Sequence, residues 1–444
     1  MKNILLFGAG KSATVLIHYL LEHADTEQWT LTLADINFEL AQRKLNHHPA
    51  GTAVGIDLSK ETERQALIQK ADIVISMLPP ALHILVAKDC LHLKKDLLTA
   101  SYIDDELLQL KEQIEKNNLL FLCEMGLDPG IDHMSAMRIF DRIRSNGGTI
   151  TSFRSHCGGL IAPESDNNPW HYKISWNPRN ITLAGQAGAI YKEDNTVRTI
   201  SYPDIFRNCP AIEAPVPGQW ACYPNRDSLH YIPVYKLESA ETVIRATLRH
   251  NDFCTGWQFI VLAELTNPLD IEMIDSLKDK SIGEWFVACL NFYTKSATFP
   301  AFLNRYVAAQ ERQLITQLFE YLGLFSDEKI PLEAKSSADI LQYLLETRLA
   351  LASTDKDMIL MIHEIEFMNR DQQPGRLSSS LVVKGENALQ TAMAKTVGLP
   401  LAIATKLILS GTITTKGLQI PILKEIYEPV LAELGKKGIR FVEQ

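Results

Sequence analysis

Three short stretches of this chain carry residue types that could do chemistry. The first is Gly8-Ala9-Gly10-Lys11-Ser12-Ala13, which follows the apolar run Asn3–Phe7 and leads into an amphipathic stretch at Thr14–Leu21. Gly8 permits a sharp turn off a strand, Gly10 lets backbone approach a pyrophosphate, and Ala13 lets a helix pack close to a sheet. The helix that follows presents free N–H groups and its positive dipole end to phosphate. The second stretch is Glu124-Met125-Gly126-Leu127-Asp128-Pro129-Gly130-Ile131-Asp132-His133, where acids, glycines and a proline crowd a chain reversal. The third is Tyr223-Pro224-Asn225-Arg226-Asp227-Ser228, a polar, proline-punctuated segment of the kind that binds ligands or simply links elements.

The elements that must position these residues alternate. Strands are expected at Ile4–Phe7, Thr30–Ala34, Ala53–Asp57, Ile73–Leu78, Asp96–Ala100 and Leu119–Cys123, with helical segments between most of them. That pattern predicts a parallel, doubly wound sheet covered on both faces. Ligands bind such sheets beyond the carboxyl ends of the strands. Ser76–Pro80 should therefore line a dinucleotide, and Ser101 and Tyr102 should face nicotinamide and substrate, although Tyr102 could equally be a half-buried aromatic. Asp35, closing the second strand, can accept from an adenosine ribose 2′-OH and would repel a 2′-phosphate, which favours NAD over NADP; the competing role is a helix cap. Asp57 lies near the adenine or caps the next helix. Asp128 sits close to a strand end and is the better ligand candidate, whereas Asp132 and His133 could cap a helix at Met134–Ile143.

Beyond Ser145 the texture changes. Strands are expected at Thr149–Cys157, His171–Trp176 and Glu241–His250, with Cys157–Glu164 as a binding loop or linker. Residues 251–352 look helical, most clearly at Phe286–Tyr293, Leu303–Gly323 and Ala338–Ala350. Met358–Phe367 and Leu377–Lys384 pair across a turn at Gln373–Gly375, and helices close the chain at Ala388–Gly398, Leu399–Leu409 and Pro421–Gly438.

Composition bounds the rest. A chain of 444 residues exceeds one compact core. The net charge of −9 argues against nucleic acid or an anionic membrane as partner. No apolar run reaches the length of a membrane span, and Met1 is too near the first strand to leave room for a signal or transit peptide. The seven cysteines include no C-x-x-C pair, so reduced thiols in a cytoplasmic setting are expected, with no metal.

These motifs, in order, resemble the glutamate-forming saccharopine dehydrogenase (saccharopine reductase) family. The resemblance rests on the Gly8–Ala13 turn, Ile75–Pro79, Ala100–Ile103, Gly126–His133, Cys157–Gly159, Ala162–Glu164, Ile174–Trp176, Tyr223–Ser228, Glu241–Arg249, Leu322–Asp327, Thr396–Gly398 and Ala402–Lys406. It implies an α/β protein with a Rossmann-like domain at 1–130. An α/β substrate domain follows at 131–250 and 353–386, carrying a helical subdomain at 251–352. Residues 387–444 would pack back on the first domain. It implies saccharopine as substrate, whose three carboxylates suit the planar forks of Arg226 and Arg249. Substrate contacts carried over are Ser101, Tyr102, Asp128, Arg226, Thr247, Leu248 and Arg249. Cofactor contacts are Gly8, Gly10, Lys11, Ser12, Ala13, Asp35, Asp57, Leu78, Ala100, Ser101, Leu127, Asp128, Pro129 and Ser175. Fungal members that use NADP carry an arginine just after the second strand; Ala34-Asp35-Ile36 stands here instead, so NAD is favoured and NADP stays open. Lys11, Ala246 and His250 also depart from the family pattern without removing a ligand.

The implied reaction is oxidation of the secondary amine to an imine, then hydrolysis to glutamate and 2-aminoadipate 6-semialdehyde. Asp128, Tyr102 and Cys157 are the proton-transfer candidates, Cys157 doubling as a small buried residue. A carboxypolyamine dehydrogenase or synthase on the same scaffold, and a non-catalytic NAD-binding regulator, are the alternatives. A homodimer stays open.

Overall fold

A computed structural model describes residues 1–444. The chain divides into two compact units. One comprises Met1–Ile150, Phe367–Gly375 and Leu381–Gln444, and the other Thr151–Glu366 and Arg376–Ser380.

The first unit is built on a seven-stranded sheet. Its strands include β1 (Lys2–Phe7), β2 (Trp29–Asp35), β3 (Gly51–Gly55), β4 (Ile73–Ser76), β5 (Asp96–Thr99) and β6 (Leu120–Leu122). The order is Gly417–Gln419, β6, β5, β4, β1, β2, β3, and the pairings are parallel. The direction reverses at β1, so the glycine turn sits at the topological switch point. The central strands read as unbroken apolar runs because helices cover both faces: Ile4, Leu5, Leu6 and Phe7 are all fully buried. β3 begins and ends two residues earlier than Ala53–Asp57, in register with Leu31–Asp35 of β2. The Ile131–Ser145 helix starts three residues before the expected Met134 and belongs to this unit.

The C-terminal segment differs most from the sequence expectation. Gly417–Gln419 adds an edge strand beside β6, where only helices were foreseen. The two expected helices at Ala388–Leu409 are one, Ala392–Leu409, which runs through Pro400. An internal proline costs a helix about 3 kcal/mol. Here that cost is offset by packing, since most of the helix is buried. A Cβ on Gly398 would lie 2.9 Å from the Leu16 backbone N and 3.3 Å from the Ser12 carbonyl, so glycine permits close packing on the start of the Thr14–Glu22 helix. At 18 residues this helix is long and apolar enough to cross a membrane, contrary to the sequence expectation, but 67% of it is buried inside the unit, as in a core helix.

A second sheet has hydrogen-bonded strands in the order Ala211–Ile212, Trp220–Pro224, Thr242–His250, Thr149–Ile161, Asp357–Met368, Pro374–Lys384, most of whose residues belong to the second unit. The last two form the expected hairpin, although its turn lies earlier, closed by Asn369 N donating to Gln373 O. Two segments depart from expectation. Cys157–Glu164 is not a loop: the strand continues to Ile161, because Gly158 has no Cβ to collide with the Leu248 carbonyl 2.6 Å away. His171–Trp176 is not a strand. His171 has φ +48°, outside the extended region, and the segment makes only a single isolated bridge, Ile174 to Ala350, so no ladder forms. Helices between Asn251 and Arg348 form the helical region. The expected Leu303–Gly323 helix is two, Phe299–Tyr306 and Arg312–Leu322, with Arg312 Nε donating to Val307 O (3.1 Å) across the break.

Candidate functional site

The glycine turn is built as its residue types require. Gly8 has φ +101°, and a Cβ there would strike the Met77 carbonyl at 2.5 Å. Gly10 faces open space, with nothing within 4 Å of a Cβ position, and no side chain caps the turn Lys11–Ala13 that it opens. An open cradle of uncapped backbone at the start of the Thr14–Glu22 helix fits a pyrophosphate. Asp35 closes β2 and reaches back to the turn: its Oδ2 accepts from Ala9 N (2.6 Å) and its Oδ1 from Asn37 N (2.8 Å). It does not cap the following helix; Asn37 does. Lys44 lies beside it, donating to Gly10 O (2.5 Å) and Thr14 Oγ1 (2.7 Å). Burial pushes the Lys44 amine down to about 8, against the opposing pull of Asp35. Asp57 is exposed beyond β3 and accepts from Ser59 N (2.9 Å), which holds its carboxyl below the ordinary value; Lys60, not Asp57, is the N-cap of the next helix.

At the carboxyl edge of β4, β5 and β6 the candidates converge. Glu124 N donates to Ser101 O (3.0 Å) and Met125 N to Thr99 O (3.1 Å), tying the exits of β5 and β6 together. Gly126 lets the next turn settle on Ala100, whose Cβ would be 3.1 Å from a Cβ there. Leu78, Ala100, Ser101, Tyr102 and Asp128 are partly exposed at this edge, while Leu127 and Pro129 are buried. The Asp128–Pro129 peptide is cis. Asp132 Oδ1 accepts from Gly130 N (2.6 Å), so that acid does bind the helix start.

Two features here were missed in the sequence. His83, on the Pro80–His92 helix, bridges Ser76 Oγ (2.7 Å, to Nδ1) and Ser101 Oγ (2.7 Å, to Nε2). Burial pushes its imidazole down to about 4, so it is neutral, with one ring nitrogen donating and the other accepting. A histidine one turn past Leu78-Pro79-Pro80 was the available signal. The second feature is Glu124 paired with His133 (2.8 Å), both buried, with the other Glu124 oxygen accepting from Ile103 N (3.3 Å). His133 is therefore a partner for Glu124 and not merely a cap.

The second unit gathers another group. Tyr223, Thr247 and Cys157 lie side by side on three adjacent strands. Cys157, Leu248 and Arg249 are buried, and Thr247 is partly so. Arg249 is only 5% exposed, and no carboxylate lies within ion-pair distance. Its Nη1 donates to Leu248 O (2.8 Å), its Nε is buried without an acceptor, and its guanidinium sits 5.3 Å from the Tyr172 ring and 5.7 Å from the Phe253 ring. Arg226 is exposed, with φ +54°, and opens a two-residue strand, Arg226–Asp227, that pairs with Ala189–Ile190; just before it Asn225 N donates to Arg245 O (2.8 Å). Ser175 is buried in the same unit.

A parallel sheet with an open glycine turn at its switch point is a dinucleotide-binding architecture. Residues 4–122 match the saccharopine dehydrogenase NADP binding domain, and residues 126–439 match the saccharopine dehydrogenase C-terminal domain. The chain belongs to the saccharopine dehydrogenase family. It is 33% identical over its whole length to the Saccharomyces cerevisiae saccharopine dehydrogenase [NADP(+), L-glutamate-forming], covering 99% of that protein. It is 34% identical to the mitochondrial alpha-aminoadipic semialdehyde synthase of Bos taurus, of which it spans 48%. The apo structure of the Saccharomyces cerevisiae L-Glu-forming enzyme superposes with a TM-score of 0.89 at 32% identity, covering 100% of this chain and 99% of that one.

Proposed function

We propose that this protein oxidises saccharopine with NAD(P)+ and water to L-glutamate and 2-aminoadipate 6-semialdehyde, a step of lysine metabolism. The observation that carries the reading is Arg249: a buried guanidinium on an aromatic platform with no internal counter-charge. Leaving a charge buried and unpaired is costly, and a substrate carboxylate would remove that cost. The full-length likeness to a glutamate-forming enzyme supports the same substrate.

The first unit binds the dinucleotide through Gly8–Ala13, Asp35, Asp57, Leu78, Ala100–Ser101 and Leu127–Pro129. Bound NAD(P)+ supplies the hydride acceptor. Ser101, Tyr102 and Asp128 bind the amine side of saccharopine, and Arg226 with Thr247–Arg249 its carboxylates. His83 holds the Ser101 hydroxyl in place. Asp128 accepts the proton that the secondary amine must shed, with Tyr102 and Cys157 as the other candidates. NAD is preferred to NADP in this reading because a carboxylate closing β2 beside the glycine turn would repel a 2′-phosphate, while Lys44 is engaged with Gly10 and Thr14. Seven free cysteines are consistent with action in the cytoplasm.

The test is reduction of NAD+ and of NADP+ by saccharopine, with glutamate and semialdehyde scored as products. Reduction of neither cofactor defeats the proposal, and a preference for NADP+ defeats the role given to Asp35. Activity on a carboxypolyamine that survives Arg226→Ala would favour the polyamine alternative.

A further inference from the structure

The second unit holds a cluster that this reaction does not use. His171, His250 and Asp252 place one ligand atom each within 4.8 Å of one another. His171 Nε2 is 3.6 Å from Asp252 Oδ2, and His250 Nδ1 is 3.9 Å from the same oxygen. Donors around a tetrahedral zinc ion, each about 2.0–2.2 Å from the metal, lie roughly 3.3–3.5 Å apart. Small side-chain adjustments therefore suffice, with the ion taking the His250 Nδ1 lone pair that accepts from Asp252 N (3.3 Å) when no ion is bound. The other His171 nitrogen, Nδ1, is held by Asp166 Oδ2 at 2.6 Å, the arrangement by which a carboxylate orients a metal-binding imidazole. The two imidazoles face each other at 3.8 Å between centroids, and Trp220 stands 6.0 Å from His250. All three candidate ligands are partly exposed, so an ion can reach them.

The geometry points to a zinc site formed by His171, His250 and Asp252, with Asp166 as the orienting partner and water in the remaining position. Charge supports it. Two carboxylates face two imidazoles, and a divalent cation with both imidazoles neutral balances the group. Soft thiolates are absent and imidazole with carboxylate suits zinc. The cluster escapes a sequence reading because its ligands come from separate stretches and include no cysteine. Its position gives it a purpose. Tyr172 follows His171, Arg249 precedes His250, and Phe253 follows Asp252, so each ligand adjoins one member of the Arg249 platform. An ion here would clamp that platform from behind. This last step rests on the carboxylate-binding role proposed for Arg249; the metal site itself does not.

The test is equilibrium dialysis of the full-length protein against Zn2+, with Co2+ absorption as a probe of ligand type. Expected are one ion per chain and a Co2+ spectrum free of thiolate charge transfer. His171→Asn and His250→Asn should each weaken binding at least tenfold. Asparagine tolerates the positive φ at 171 and can keep the capping acceptor that His250 offers Asp252 N, so both variants should fold. Asp166→Asn should weaken it about 10- to 100-fold. Absence of stoichiometric binding, thiolate bands, or binding unchanged in both histidine variants overturns the site. Those readouts need no substrate. A zinc-dependent fall in the saccharopine KM would support the clamp, and an unchanged KM with the ion bound would remove the clamp and leave the site.

Discussion

Arg64 and Arg249 are equally buried, yet the two units treat them in opposite ways. In the first unit Arg64 has its counter-charge built in. Its Nε donates to Asp89 Oδ2 at 2.5 Å, its Nη1 reaches the Leu58 carbonyl, and the other Asp89 oxygen accepts from Gln65 at 2.9 Å. In the second unit Arg249 has two aromatic faces and one carbonyl, but no carboxylate. A buried ion pair that closes on itself is structure. A buried cation left open is costly to keep unless an anion arrives, which makes it the better marker of function.

The largest expected effect tests the closed half. Arg64→Met strands the Asp89 carboxylate in the core, which should cost about 3–5 kcal/mol of stability in urea unfolding. Cofactor reduction per folded molecule should be unchanged. If stability barely moves, the pair is not the structural device described.

Arg249→Met tests the open half and should split the other way. Stability should change by about 1 kcal/mol or less, because no partner is stranded. The saccharopine kcat/KM should fall about 100-fold, equivalent to about 2.7 kcal/mol. A variant that unfolds but, where folded, keeps wild-type kcat/KM would make Arg249 a structural residue and erase the contrast.

His83 is a third solution: a buried base kept neutral. Its pKa is about 4 in the fold, against about 6.5 unfolded. Between those values the unfolded chain holds a proton that the folded chain lacks, so stability falls as pH drops through that window and is flat above it. At pH 5 the contribution is a loss of about 2 kcal/mol relative to pH 7.5. His83→Gln should remove that part of the slope, measured by urea unfolding at the two pH values. An identical slope in the variant would show that His83 is not the titrating group.

What was legible in the sequence follows period and punctuation. β1, β4, β5 and β6 stood out because central parallel strands are continuous apolar runs, and β2 because Thr and Leu alternate along it. The glycine turn stood out because Gly8, at φ +101°, has no substitute there, and Gly10 follows it at the spacing of a dinucleotide-binding turn. The Gly417–Gln419 edge strand was invisible, since three residues carry no period and their pairing with β6 is set from far along the chain. His171–Trp176 misled because burial on all sides looks like a buried strand. The motif residues Ser101, Asp128 and Arg249 were legible as types, but their surroundings were not. His83 beneath Ser101, and Tyr172 and Phe253 around Arg249, come from other elements and are joined only by folding.

Asp35 sharpens the comparison from the anionic side, with the smallest effect. Its carboxylate is neither closed nor open. It accepts two backbone N–H groups, from Ala9 and Asn37, and lies near Lys44, whose amine is engaged elsewhere. Two such hydrogen bonds hold the side chain at the end of β2 without cancelling its charge, so a 2′-phosphate would still meet an anion. Asp35→Ser keeps a hydrogen-bonding group but removes that charge. The ratio of kcat/KM for NADP+ to that for NAD+ should rise about tenfold, close to 1.4 kcal/mol, with the saccharopine KM unaffected. Asp35→Asn, which also loses the charge but preserves the acceptor for Ala9 N–H, should give the same shift. If only the serine variant moves the ratio, the discrimination comes from the geometry of the turn and not from the charge on Asp35.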